Sequence, residues 1–156
     1  MEINLIESLP RAERRAVLPV SEAFRLDVAG PPSDRRLALV VSAPARLIWS
    51  ERLHPRARLR ASFVLVPGAQ PGAGVKLLIG VSDPRVYERL FTRELLVSSG
   101  DDAAWAPLDI DLGAYGGWQW SLFYRPWNTT WRINVSVDAN PHGAIAIDRP
   151  RIEMAR

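Results

Sequence analysis

Apolar and polar residues alternate along several segments of the chain, and this period of two is its main structural signal. Segments 57–65, 75–82 and 131–138 each carry apolar side chains at every second position. In the last of them, Trp131 and Ile133 alternate with polar residues. Such alternation predicts β-strands with one buried and one solvent-facing side.

Seven further segments have shorter strand-like patterns, at 23–28, 36–42, 46–53, 89–97, 106–112, 118–125 and 144–148. Turn-forming clusters separate them and contain most of the 13 prolines and 10 glycines. Many short strands with no helical period between them predict an all-β fold, an antiparallel β-sandwich of about 8–10 strands. At most one short helix is expected near the N-terminus, at about 10–17, with Ser8 as its cap and Pro10 in its first turn.

Length and composition favour a single globular domain over residues 1–156. The 20 basic and 17 acidic residues give a net charge of +3 and are spread along the chain, so no nucleic-acid partner is expected. The chain has no cysteine, which excludes disulfides and thiol chemistry. No apolar run is long enough to span a bilayer, so membrane insertion is not expected. The N-terminus does not have the pattern of a signal peptide, so export would imply that the sequence belongs to a longer protein.

One segment carries a resemblance to a known family of folds. In WAPLDIDLGAYGGWQWSLFY (105–124), a Trp is followed by Asp-Leu, then by Tyr and glycines before an alternating strand. This order resembles galactose-binding-like jelly-roll domains, which accompany bacterial extracytoplasmic enzymes and membrane glycosyltransferases. The resemblance covers about residues 36–152 and leaves 1–22 as a lead-in. It implies a jelly-roll sandwich that acts as an accessory domain at the bacterial cell envelope, outside the cytoplasm. Trp118 departs from the pattern, which usually has a polar residue there.

The tryptophans divide into two groups by their position in the strand pattern. Trp49, Trp120 and Trp131 share the parity of apolar neighbours and are predicted to be buried. Trp118 and Trp127 each lie beside a turn and are the ones expected to be exposed. An exposed Trp ring suits stacking on the apolar face of a sugar. The alternative is that both rings fold back over the edge of the sandwich.

Polar residues on two predicted strands complete the candidate site. If strand 118–125 lies beside strand 131–137, their polar sides form one surface of planar donors and acceptors, as hydroxyl-rich ligands require. An ordinary solvated surface is the alternative. The candidate ligand-binding residues are Trp118, Trp127, Gln119, Arg125, Arg132, Asn134 and Asp138.

No catalytic constellation is visible, so the chain is predicted not to be an enzyme. Both histidines, His54 and His142, lie in turn-like segments without evident partners. A small hydrolase remains an alternative only because glycoside chemistry needs no more than two carboxylates.

Two further groups of charged residues have alternative interpretations. A structural calcium, the one cofactor considered, would draw on five carboxylates: Asp101, Asp102, Asp109, Asp111 and Asp148. The row formed by Arg56, Arg58 and Arg60 suits either an anionic ligand or an ordinary solvated strand.

These observations predict a non-catalytic accessory module that binds carbohydrate at the bacterial cell envelope. The alternative is a structural or protein-interaction domain of a larger membrane or exported enzyme. The expected partner is accordingly a carbohydrate or a neighbouring protein domain.

Overall fold

Two antiparallel sheets stack face to face in the computed structural model, which describes residues 1–66, 74–83, 86–96, 104–116, 130–140 and 143–154. The strands of the six-stranded sheet are β1 (Glu2–Asn4), β3 (Phe24–Ala29), β4 (Arg36–Ser42), β6 (Ala57–Leu65), β9 (Ala106–Asp111) and β11 (Ala144–Met154). Their order is β3-β4-β11-β6-β9, with β1 also paired to β11. The strands of the five-stranded sheet are β2 (Glu13–Ala16), β5 (Ala45–Glu51), β7 (Gly74–Ser82), β8 (Tyr87–Leu96) and β10 (Trp131–Asn140). Their order is β2-β5-β10-β7-β8.

The predicted all-β sandwich is confirmed, because every described strand pair is antiparallel and the alternating segments form the strands. Segment 36–42 coincides with β4, and segment 57–65 with β6. The region predicted as a strand at 118–125 lies outside the described residues.

The core lies between the sheets and is built from the apolar parity of each strand. Trp49 and Trp131 are buried there, as the alternation predicted, with 2% and 5% of their surface exposed. Trp49 also donates its indole N–H to the carbonyl of Leu5 at 3.1 Å, which satisfies its polar atom inside the core. Trp120 lies outside the described residues.

The short helix expected at about 10–17 is not formed, and that prediction was wrong. Leu9–Arg11 makes one 3₁₀ turn, and Glu13–Ala16 then forms β2 along the edge of β5. Pairing with an otherwise open strand edge outweighs the weak helical preference of this short segment. The described residues also form two single-turn helices, α1 (Val20–Ala23) and α2 (Gly113–Gly116), the second far from the N-terminus.

Residues 1–22 take part in both sheets of the sandwich. β1 pairs with β11, and β2 pairs with β5. Among the described residues, no helix has the length and apolar character needed to cross a bilayer.

A small apolar cluster lies on the outer side of the six-stranded sheet, where Trp105 covers it together with the loop before β4. The cluster consists of Ala29, Ala38, Val40, Val64 and Ala146. The indole N–H of Trp105 donates to the carbonyl of Asp34 at 2.8 Å. The guanidinium of Arg36 lies 4.9 Å from the centre of the indole ring. Gly30 permits this approach, because its φ is 106° and a Cβ there would lie 2.5 Å from Trp105.

Candidate functional site

The outer side of the five-stranded sheet carries a row of polar side chains that crosses four strands. Directly opposite one another in the register lie Ser50 of β5, Arg132 of β10, Ser82 of β7 and Tyr87 of β8. The next row lies two residues further along β10 and includes Asn134. We call the surface around Ser50, Ser82, Tyr87, Arg132 and Asn134 the polar face. Because these side chains come from adjacent strands about 4.8 Å apart, they form one continuous surface.

Tyr87 is the exposed aromatic residue of the polar face. A Cβ on Gly80, which points outward from β7, would lie 2.5 Å from the Cζ atom of Tyr87. The tyrosine ring therefore lies on the backbone of Gly80, and the residue remains 47% exposed. A ring fixed on one side and open to solvent on the other is the arrangement that stacking on a sugar requires.

Asn134 lies at the centre of the polar face, opposite Gly80, and it is buried, with only 3% exposure. Its side-chain amide donates to the hydroxyl of Ser82 at 2.9 Å and to the carbonyl of Arg132 at 3.2 Å. Asn134 thus orients Ser82 from below the surface.

The row beyond Asn134 is also held by side-chain hydrogen bonds. Arg46 donates its Nε–H to the hydroxyl of Ser136 at 3.0 Å, and Ser136 is 5% exposed. The polar groups of this row therefore bond to each other, while Ser50, Arg132 and Asp138 remain exposed.

The structure brings together only part of the predicted site. Arg132, Asn134 and Asp138 share the outer side of β10, as their parity required. Trp118, Gln119, Arg125 and Trp127 lie outside the described residues, and their part in binding stays a prediction.

The predicted site depended on strand 118–125 lying beside strand 131–137, and the first of these segments lies outside the described residues. The neighbours of β10 are β5 on one side and β7 on the other, and they pair along residues 131–137 and 132–140. Both hydrogen-bonding edges of β10 are therefore paired within the described sheet. Ser82 of β7 and Tyr87 of β8 extend its polar surface.

Sequence reasoning missed Tyr87 because the predicted strand began only at residue 89, and because a β-bulge reverses the parity of β8. The register shifts so that Ile79 faces Phe91 while Gly80 faces Arg89, leaving Leu90 as the extra residue. Strict alternation would put Tyr87 on the same side as Phe91, which packs against Phe63 in the interior. The bulge turns Tyr87 outward. The available signal was Gly80 inside a strand, which often marks a close approach by another group.

Tyr115 fixes the chain that follows β9 against the five-stranded sheet. Its ring meets that of Trp131 edge to face, with centroids 5.0 Å apart, and its hydroxyl donates to the carboxylate of Glu88. Burial, reinforced by this carboxylate, raises the pKa of Tyr115. The ring of Tyr115 is thus buried while its hydroxyl is hydrogen-bonded. Asp111 likewise accepts the N–H of Gly113 at 2.8 Å, as expected for a carboxylate before a turn.

Ion pairs occupy the outer side of the six-stranded sheet. Arg58 contacts Asp109 at 2.7 Å, and Arg60 contacts Glu153 at 3.0 Å. The hydrogen bond from Arg58 holds the pKa of Asp109 below its usual range. Because both arginines already face carboxylates, the interpretation of their row as an anion-binding surface loses its support.

The carboxylates considered for calcium have similar arginine partners. Asp109 and Asp111 both face Arg58, and Asp148 accepts a hydrogen bond from Arg36 at 3.0 Å. Asp101 and Asp102 lie outside the described residues. In the described ranges, no group of three or more His, Asp or Glu side chains is placed to hold a metal ion.

The space between the sheets offers little room for a ligand. A cavity of about 20 Å³ lies in the core and is lined by apolar side chains that include Leu39, Trp49 and Phe63. This volume is close to that of one water-sized probe, far below the size of a sugar ring. This cavity, lined by described residues, is therefore too small to hold a sugar ring.

No protein-family model and no curated protein sequence matches the chain. Among solved structures, the fold is similar to that of TmCBM61 in complex with β-1,4-galactotriose, with a TM-score of 0.55 and 14% identity over 97% of this chain and 94% of that chain. It is also similar to CBM51 from Clostridium perfringens GH95 in complex with methyl-galactose, with a TM-score of 0.54 and 9% identity over 98% of this chain and 100% of that one. At these identities the likeness shows the fold alone: the chain shares the two-sheet β-sandwich of these structures.

Proposed function

We propose that this chain is a non-catalytic carbohydrate-binding module and that the polar face is its binding surface. The observation that carries the proposal is Tyr87, whose ring is seated on Gly80 and half exposed beside Ser82 and Arg132. Aromatic rings bind the apolar side of a sugar, and neighbouring polar groups fix its hydroxyls. The two similar folds that were solved with galactose-containing ligands support the same class of partner.

The non-catalytic part of the proposal rests on how the carboxylates are used. On the outer side of the six-stranded sheet, Asp109, Asp148 and Glu153 hold arginines. Carboxylates engaged in this way stabilise the sandwich and do not form a pair across a sugar-sized cleft. A binding role at the cell envelope, outside the cytoplasm, agrees with the resemblance of segment 105–124 to accessory domains of exported enzymes.

A glycan array that contains both neutral and acidic oligosaccharides tests the proposal. We expect the wild-type chain to bind at least one class, and Tyr87→Ala to weaken that binding at least tenfold, the usual effect of removing a central aromatic. Tyr87→Phe is the matched control, because it keeps the ring and should retain most of the affinity. Binding that is equal in Tyr87→Ala and wild type would move the site away from the polar face.

A second candidate function is protein interaction through β3 and β4. Leu26, Val28 and Leu37 have the parity of core residues, but they are 53%, 49% and 64% exposed. Exposed apolar groups of this kind mark contact surfaces. This function predicts that no glycan binds, and that Val28→Lys disrupts association with another domain of the same protein in a pull-down assay. Glycan binding that survives Val28→Lys would favour the carbohydrate proposal.

A further inference from the structure

Two exposed arginines lie on either side of Tyr87 on the polar face. Arg132 is in the same row of the register, separated from Tyr87 by Ser82 on the strand between them. Arg89 lies two residues along β8 and faces Gly80, the residue that supports the tyrosine ring. The Cα of Arg132 is therefore about 10 Å from that of Tyr87, and the Cα of Arg89 about 7 Å, by the usual strand spacings.

These two arginines differ from those of the other sheet in having no carboxylate partner within the described ranges. Arg36, Arg58, Arg60 and Arg151 each contact an Asp or a Glu at 3.0 Å or less. No such contact joins Arg89 or Arg132 to a described carboxylate. Within the part of the chain that the structure describes, these two guanidinium groups are therefore left without a carboxylate partner.

The acidic side chains near the polar face are placed elsewhere or already engaged. Glu88 is on the inner side of β8, where it accepts the hydroxyl of Tyr115. Asp83 accepts the N–H of Val86 within the turn that joins β7 to β8. Glu13 is paired with Arg15 at 2.6 Å on the far edge of the sheet. Asp138 and Glu94 both lie opposite Lys76, two rows beyond Asn134. None of these carboxylates pairs with Arg89 or Arg132, the arginines nearest Tyr87 in the described register.

We infer that the polar face selects acidic glycans, meaning sugars that carry carboxylate or sulfate groups. This inference rests on the proposed function and names the class of its ligand. The tyrosine ring supplies the contact that any sugar makes, and the two guanidinium groups recognise the anionic substituents of neighbouring units. Guanidinium groups form paired hydrogen bonds with planar carboxylates and with sulfate-like oxygens, which neutral sugars cannot offer.

The test compares charged and uncharged forms of the same polymer. Calorimetric titration with polygalacturonate and its methyl ester examines the carboxylate, and titration with dextran sulfate and dextran examines the sulfate. We expect the charged member of at least one pair to bind about tenfold or more tightly, and this preference to weaken as salt rises. Arg89→Gln combined with Arg132→Gln should remove the preference without abolishing the remaining binding to the neutral member.

Arg25→Gln is the control for each single variant, Arg89→Gln or Arg132→Gln, because it removes one positive charge from an exposed position on the other sheet. The inference is overturned if charged and neutral polymers bind equally, or if Arg25→Gln lowers the preference as much as the polar-face variants do. The failure of this inference can be told apart from that of the proposed function. If neutral polymers bind, and Tyr87→Ala abolishes this binding while the arginine variants do not change it, the polar face remains the binding site and only the selection of acidic glycans is wrong. No binding to any polymer would remove both.

Discussion

The outer surfaces of the two sheets carry the same residue types, arginines and aromatic residues, in different environments. On the six-stranded sheet, Arg36 lies over Trp105 and bonds both Asp34 and Asp148. On the five-stranded sheet, Tyr87 lies exposed beside Arg132, which has no carboxylate partner among the described residues. The first arrangement pairs its arginine with two carboxylates and stabilises the sandwich. The second leaves an aromatic ring and a cation exposed to solvent, which is the condition for binding a ligand.

Removing the aromatic residue from each surface should give the largest contrast in stability. Trp105→Ala uncovers an apolar cluster and removes both a hydrogen bond and a cation–π contact. We expect it to lower the free energy of unfolding by about 3 kcal/mol, near the lower end for a large aromatic. Tyr87→Ala should cost about 1 kcal/mol or less, because the ring is half exposed. Urea denaturation of both variants measures the difference, and equal losses would mean that Tyr87 has a structural role like that of Trp105.

The glycines beneath the two aromatic rings provide a smaller contrast. In Gly30→Ala, a Cβ would lie 2.5 Å from the backbone oxygen of Asp34, at a residue whose φ of 106° already disfavours a side chain. We expect a loss of about 2 kcal/mol. In Gly80→Ala the Cβ meets only the far end of Tyr87, which can turn away. The free energy of unfolding should change by about 0.5 kcal/mol or less, while glycan binding falls.

Thermal melts and titrations of these two alanine variants separate the roles of the glycines. A large destabilisation by Gly80→Ala, or unchanged glycan binding in that variant, would contradict the interpretation that the ring of Tyr87 rests on Gly80 and can turn away.

The dependence of stability on pH should come from the six-stranded sheet and should be the smallest of these effects. Hydrogen bonds from Arg36 and Arg58 hold the pKa values of Asp34 and Asp109 below their usual range. A carboxyl whose folded pKa lies below its unfolded pKa contributes stability above about pH 4, and loses it as the pH falls through the folded pKa.

Thermal melts between about pH 2 and pH 6 test this assignment. Because Asp109 loses its partner, Arg58→Gln should flatten the acid side of the profile. Arg132→Gln, on the polar face, should leave the profile as in the wild type. The assignment fails if both variants change it alike.

The sequence predicts the sandwich well because alternation is a local property of each strand. Segment 57–65 shows this, since its alternating apolar positions and its limits are those of β6. Residues 10–17 were misread because the partner of β2 is β5, which lies about 30 residues away in the chain. Local signals at Ser8 and Pro10 mark only the start of the 3₁₀ turn that forms there.

The candidate site was less predictable because it depends on register between strands. Arg132, Asn134 and Asp138 were placed on one side of β10 by parity alone. Asn134 is buried because it lies opposite Gly80, the residue on which Tyr87 rests. This position depends on the neighbouring strands and is not encoded in β10 alone. Tyr87 itself depends on the bulge at Leu90, and one extra residue reverses the side on which every preceding residue of β8 lies.

The central claim is that the glycan binds to the outer side of the five-stranded sheet, and mapping by NMR tests it most directly. A ¹⁵N-labelled sample is titrated with oligogalacturonate while the amide shifts of both sheets are followed. The account predicts that the perturbed amides cluster at Gly80, Ser82, Tyr87, Arg89 and Arg132, while those of Arg58, Asp109 and Arg151 stay unchanged. Perturbations centred on Arg58 and Asp109, with none on β7 and β8, would contradict it.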